Sequence, residues 1–278
     1  MILLSKNTLI CREISCNYGF YSRYTHSRKP RLSLPLYHAE WRCTEGAFFM
    51  LDFWANRLAQ IEWGISPLQC LSLLLLTLWI YAIWPKEDLQ QVLKDKGLQW
   101  RLLLTLIAVN TLWLLNASIQ VGLHLHFLGI VTCLLMFGWR LATVALLLPS
   151  AFFSVFVLKL PAEFGAFSLF AIAIPLFCAF ILYSRSYHLF PKHIFVFIFV
   201  GAFINAGLST VFHQFSWAFW LWWSMDYDWG VLIDNYLMLI PLLAFPEALL
   251  NGMAVTLLVV YQPQWLFDYS DREYLWRK

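Results

Sequence analysis

Charge is what this sequence has least of. Only 13% of its 278 residues are Asp, Glu, Lys or Arg, near half the ~25% of an ordinary soluble domain. The net charge of +3 is too small to imply a nucleic-acid partner. Also missing are a phosphate-binding glycine loop, a dinucleotide fingerprint, a nucleophile elbow and any triad or acid–base pair. The chain is therefore not expected to be an enzyme, and it carries no nucleotide-binding motif of its own. The six cysteines form no CxxC pair. Cys70, Cys133 and Cys178 fall inside apolar runs, where cysteine acts as a small buried hydrophobe.

Apolar residues are abundant. The chain is 61% hydrophobic, with 15 Trp and 24 Phe. A multi-span integral membrane protein is the class that accommodates this. The expected fold is all-α, a polytopic membrane helix bundle of about seven transmembrane helices. The spans are read at 65–84, 100–118, 127–138, 141–158, 165–183, 194–217 and 231–261. The third and fourth are short for independent ~20-residue crossings and could form a broken or tilted pair joined at Trp139–Arg140. Between the first two spans, 86–99 carries both signs of charge and could form a surface helix. The run GAFINAGLS places Gly201, Ala202, Ala206 and Gly207 where a neighbouring helix can approach closely. The Trp-rich stretch 217–229 reads as an interfacial anchor.

Residues 1–49 differ from the rest. They carry seven basic residues and no spanning run. They are read as a non-conforming upstream extension or a disordered cytoplasmic tail. Residues 50–266 form the seven-helix membrane domain, and 267–278 a short cytoplasmic tail. From Met50 on, one side of the seven-span arrangement receives Lys86, Lys94, Lys96, Arg101, Arg140, Arg185, Lys192, Arg272, Arg277 and Lys278. The other receives only Arg57 and Lys159. Cytoplasmic loops concentrate Lys and Arg. The expected location is thus a bacterial inner (plasma) membrane, multi-pass, with the core's N-terminus outside and its C-terminus cytoplasmic.

Two imidazoles, His124 and His126, stand at the mouth of a long apolar run, flanked by Gly122 and Gly129. On a helix, residues two apart point away from each other. In an extended loop they share a face. They read either as interfacial histidines or, if the run begins as a loop, as a pair able to hold one ligand. Glu247 is the one carboxylate well inside a span, and such groups face the bundle interior or a cavity. Following Pro246, it also fits the first turn of a helix. Asn251 lies one turn along on the same face, with Asn205 a candidate neighbour. His213 lies near the outer end of the sixth span.

These residues resemble the membrane substrate-capture component of energy-coupling-factor transporters for cobalt and nickel, the CbiM/NikM type. That family has a His-Pro-Thr-Gly loop leading into a helix that ends Phe-Gly-Pro. His126, Gly129, Phe137 and Gly138 fall at matching spacings. Its last helix reads Pro-x-x-x-x-Glu-x-x-x-Thr-Gly, with Pro sixteen residues beyond the Glu. Glu247, Gly252 and Pro263 match, with Asn251 in the Thr position. Gly165-Ala166 and Pro175 follow a third motif loosely, one residue out of step. The likeness covers about 122–266. It implies a permease in the lipid bilayer with a transition-metal ion, nickel or cobalt, as substrate. It also implies separate ATPase and coupling subunits. The departures are Phe127 and Leu128 for the family Pro and Thr, Trp139 for its closing Pro, and Phe167 for an Asn. The family's metal-coordinating Met-His start has no counterpart at Met1-Ile2 or Met50-Leu51. Of the family's metal ligands only His126 carries over. The second donor is expected to be His124 if the loop is extended, or His213 if the sixth span packs alongside. The alternative is a non-transporting inner-membrane assembly or interaction protein.

Overall fold

The computed structural model describes residues 64–270, apart from Val121 and Met225. The extension 1–49, the lead-in 50–63 and the tail 271–278 lie outside the described residues. The described residues all belong to one compact unit.

Helix α1, Pro67–Ile83, starts where Ser66 and Gln69 cap each other reciprocally and Pro67 supplies the first helical φ. It ends before Pro85, and the chain turns by 75° into α2, Lys86–Lys94. This is the expected surface helix, with Glu87 and Asp88 in its first turn and Lys94 in its last, as the helix dipole favours. Asp95 then caps α3, Lys96–Leu114, by accepting from the Gly97 N–H at 2.8 Å. The second span was read to 118. The helix stops earlier because the Asn116 amide takes up the Trp113 and Leu114 carbonyls, and the chain becomes strand β1, Asn116–Gln120. A turn at Gly122, with φ +79, returns it as β2, Leu123–His126. The pair is antiparallel, with Asn116 opposite His126 and Ser118 opposite His124.

Helix α4 spans Ile130–Phe156 but is not straight, because Gly138 has φ 73 and ψ 159. A continuous helix would place Gly129 about 36 Å from Phe153. Instead the rings of His126 and Phe153 lie 4.8 Å apart. The chain doubles back at Gly138, and α4 is two antiparallel limbs, 130–137 and 139–156. These are the short third and fourth spans of the sequence reading, joined one residue before Trp139. The first limb is only about 12 Å long, so it covers less than half of a ~30 Å hydrocarbon core.

Three long helices complete the bundle: α5, Pro161–Leu189; α6, Ile194–Trp223; and α7, Trp229–Tyr261. Among the described residues, length and composition give five helices fit to cross a membrane, or six with α1 and α2 taken together. Gly165 lets α5 cross α1 closely, since a Cβ there would sit 2.8 Å from the Leu73 backbone. Gly201 faces the Tyr183 ring, and Gly207 faces Ala244 and Ala248. α5 and α6 each contain a widened i→i+5 stretch, Phe167–Ala173 and Phe197–Ile204. The chain is an all-α polytopic helix bundle with one small hairpin folded into it.

Candidate functional site

The first limb of α4 begins inside the bundle, where its unpaired N–H groups cannot reach water. Glu247, 1% exposed on α7, meets that need. Its carboxylate accepts from the Leu128 N–H at 2.8 Å and the Gly129 N–H at 2.7 Å. The Asn251 amide donates to the same carboxylate at 2.7 Å. The Asn251 oxygen in turn accepts from the Thr132 N–H at 3.0 Å and the Thr132 hydroxyl at 2.8 Å. Glu247 and Asn251 thus cap a helix more than a hundred residues away, where a negative charge suits the dipole. Glu247 does not occupy the first turn of its own helix: Pro246 lies inside α7, which starts well before it. Asn205 does not join this pair. Its amide donates to Ala179 O at 3.0 Å and Gly201 O at 3.3 Å, because α5 rather than α7 faces it.

This cap fixes the chain just before it. Trp113 on α3 adds a second clamp, donating to Leu128 O at 2.9 Å. Between these clamps and the hairpin, His126 is 2% exposed among Trp113, Phe153 and Phe167. His213 on α6, also 2% exposed, brings its ring to 5.4 Å from that of His126. Both conditions set for a second donor therefore hold. The loop is extended, which places His124 and His126 on one face of β2, and α6 packs alongside. His124 is half-buried, with Nδ1 3.2 Å from Asn116 Oδ1 and its ring against Phe153.

The hydrogen bonds orient both inner imidazoles. His126 Nδ1 lies 3.2 Å from Phe127 O, and His213 Nδ1 lies 2.6 Å from Ala171 O. A carbonyl only accepts, so each Nδ1 carries the proton and each Nε2 keeps its lone pair. Burial, then the neighbouring His213, pushes the His126 pKa down to about 3. Burial lowers that of His124 as well. The imidazoles are neutral, the form that binds metals. A metal–nitrogen bond is about 2.0–2.1 Å. Two imidazoles sharing one tetrahedral ion then have ring centres about 5.2 Å apart, close to the spacing of His126 and His213. Among the described residues, no group of three or more His, Cys, Asp or Glu is placed to hold a metal ion. The pair supplies two donors and no complete shell.

Several residues here escape a motif reading. Trp113 and Thr132 look like ordinary span residues, and only contacts from distant helices reveal them. Gln214, next to His213, is fully buried with neither amide atom paired among the described residues. Glu163 is also buried, accepting from Gln69 Nε2 at 2.6 Å and Trp220 Nε1 at 2.9 Å. It lines a pocket of about 410 Å³ with Asp226, Gly122 and Trp217. Trp217 donates to Gly122 O at 3.0 Å and packs edge-on against Phe167, which also touches His126. Two rings in contact, Trp217 and Phe167, thus connect the pocket's lining to His126. The pocket's two carboxylates, Glu163 between spans and Asp226 in the aromatic belt, were visible in sequence. Their convergence was not.

No family model and no curated protein matches the chain. A solved structure of a truncated transition-metal transporter is similar, with a TM-score of 0.53 over 72% of this chain and 98% of that one, at 18% identity. At that identity the likeness is one of fold, and the chain has the helical architecture of that transporter.

Proposed function

We propose that this protein is the membrane permease of a transition-metal importer of the energy-coupling-factor type, with nickel or cobalt as cargo. The observation that carries the reading is the pair His126–His213, two neutral buried imidazoles 5.4 Å apart with both Nδ1 atoms engaged by carbonyls. The fold shared with a transition-metal transporter supports it. The pocket bearing Glu163 and Asp226 is the entrance, where two carboxylates gather a cation beside the histidines. Gln214, buried and unpaired among the described residues, is available as an oxygen donor, since buried polar groups seldom go without partners. Ligand exchange at a two-imidazole site suits a carrier that must release its cargo. The chain supplies no ATPase, so energy comes from separate ATPase and coupling subunits.

Alternate passages put Lys86, Lys94, Lys96, Arg101, Arg140, Arg185 and Lys192 at the end away from this pocket, and Lys159 near it. The positive-inside rule then assigns the pocket to the outer face of a plasma membrane. The lack of a three-donor cluster among the described residues favours the second reading, a non-transporting interaction protein. Calorimetry on the purified full chain with nickel, cobalt and zinc separates the two. Metal binding that weakens at least about tenfold in His126→Ala supports the importer. Absent or unchanged binding favours the scaffold.

A further inference from the structure

The short first limb of α4 leaves a second feature on the opposite side of Glu247. Between α3, limb 130–137 and α7 lies an apolar groove of about 780 Å³, floored by Ala108, Gly129, Thr132, Cys133 and Ala254. Its lining runs along α7 from Leu250 to Tyr261, a rise of about 17 Å. One leaflet of hydrocarbon is half of a ~30 Å core. The groove is therefore one leaflet deep. Gly129, just before the limb that walls it, is its lining residue next to the hairpin. A transmembrane helix of a partner needs a seat of full membrane depth and about 10 Å breadth. An acyl chain needs only this.

The groove's open end carries the headgroup chemistry. Met136 and Trp265 also line an adjoining, largely apolar pocket of about 290 Å³ whose polar lining is Asp88, Gln91, Arg101 and Gln264. Arg101 donates through Nη1 to Gln264 O at 3.1 Å and through Nε to Gly97 O at 3.4 Å. Its Nη2 lies 3.6 Å from Asp95. A guanidinium has five N–H donors, so donors remain for a phosphate. Asp88, on the amphipathic α2, offers the opposite charge in the same pocket. Tyr261 and Trp265 stand at the rim, where interfacial aromatics belong.

We propose that this groove and pocket bind one phosphatidylethanolamine molecule from the leaflet at the C-terminal end. One of its two acyl chains lies against Ala108 and Ala254, its phosphate on Arg101 and its ammonium on Asp88. A headgroup with both charges fits a pocket with both charges. A purely anionic headgroup would meet Asp88 unpaired.

The test is native mass spectrometry of the full chain, purified in mild detergent and titrated with phosphatidylethanolamine or phosphatidylglycerol. One phosphatidylethanolamine should stay bound in preference to phosphatidylglycerol. Arg101→Ala should weaken both by about tenfold, the loss of one charge-assisted hydrogen bond. Asp88→Ala should abolish the preference. Ala108→Trp fills the groove from an exposed position and should remove the adduct, with helicity and elution unchanged. If Ala108→Trp does not fold, Ala254→Leu at the facing wall serves the same purpose. Equal retention of both lipids, an adduct indifferent to these changes, or a groove photocrosslink to a second copy or another protein would overturn the proposal.

Discussion

Glu247 accepts the backbone N–H of Gly129 at 2.7 Å across 118 residues of chain. One carboxylate thereby decides where α4 begins, and so where His126 stands. Removing it leaves two buried N–H groups without an acceptor, each costing about 1–3 kcal/mol. Glu247→Ala should lower unfolding stability in detergent by about 3 kcal/mol or more and weaken metal binding without touching a ligand. Glu247→Gln keeps one acceptor oxygen and should fall between. Equal thermal midpoints for Glu247→Ala and the wild type would show that the cap is not needed.

Gly138 makes the reversal between the two limbs. At φ +73 any side chain is strained, although the added Cβ would meet only the Phe267 ring at an ordinary 3.6 Å. Gly138→Ala should therefore cost about 1–3 kcal/mol through the backbone alone, since φ 73 with ψ 159 is a region open essentially to glycine. Phe267→Ala should not rescue it. If that double variant recovers wild-type stability, the cause is packing instead.

The spans were legible in sequence because apolar runs of fixed length are what a bilayer demands. Even the short pair 127–138 and 141–158 was visible as two pieces, with the join expected at Trp139–Arg140; the reversal itself, at the positive φ of Gly138, was not. The hairpin 116–126 was not, because NASIQ and LHLH are too short to show a period and the first was absorbed into α3. At the site, Glu247 and Asn251 were legible as a polar stripe by their i,i+4 spacing. What they touch was not, because the partner is backbone, which no sequence motif records. Asn205 shows the same limit from the other side. Its polarity was plain, but whether α5 or α7 faced it depended on helix rotation.

His126 sets a pH dependence in the metal-free protein. Its pKa falls from an ordinary 6.5 to about 3, chiefly through burial. The unfolded chain therefore takes up a proton near pH 6.5 that the folded chain refuses. The stability this provides is fully present above about pH 6.5. It is lost as pH falls toward 3, by up to about 1.4 kcal/mol per pH unit. His126→Phe, which keeps an aromatic ring among Trp113, Phe153 and Phe167, should flatten the decline in thermal midpoint with chelator present. The same slope in both proteins would mean that His126 is already protonated when folded.

His126 and His213 are expected to share one ion. If they do, removing either leaves the other a lone imidazole, and the double variant should bind metal little more weakly than each single one. Their coupling free energy should then be a large part of either single effect, as for residues in direct contact. Two histidines acting on separate ions would give additive losses instead. The measurement is a double-mutant cycle by calorimetry with nickel, using His126→Ala, His213→Ala and the pair. His188→Ala serves as a control, lying at the far end of α5 away from the pocket. Additive losses, or a comparable loss in the control, would remove the shared ion from this site.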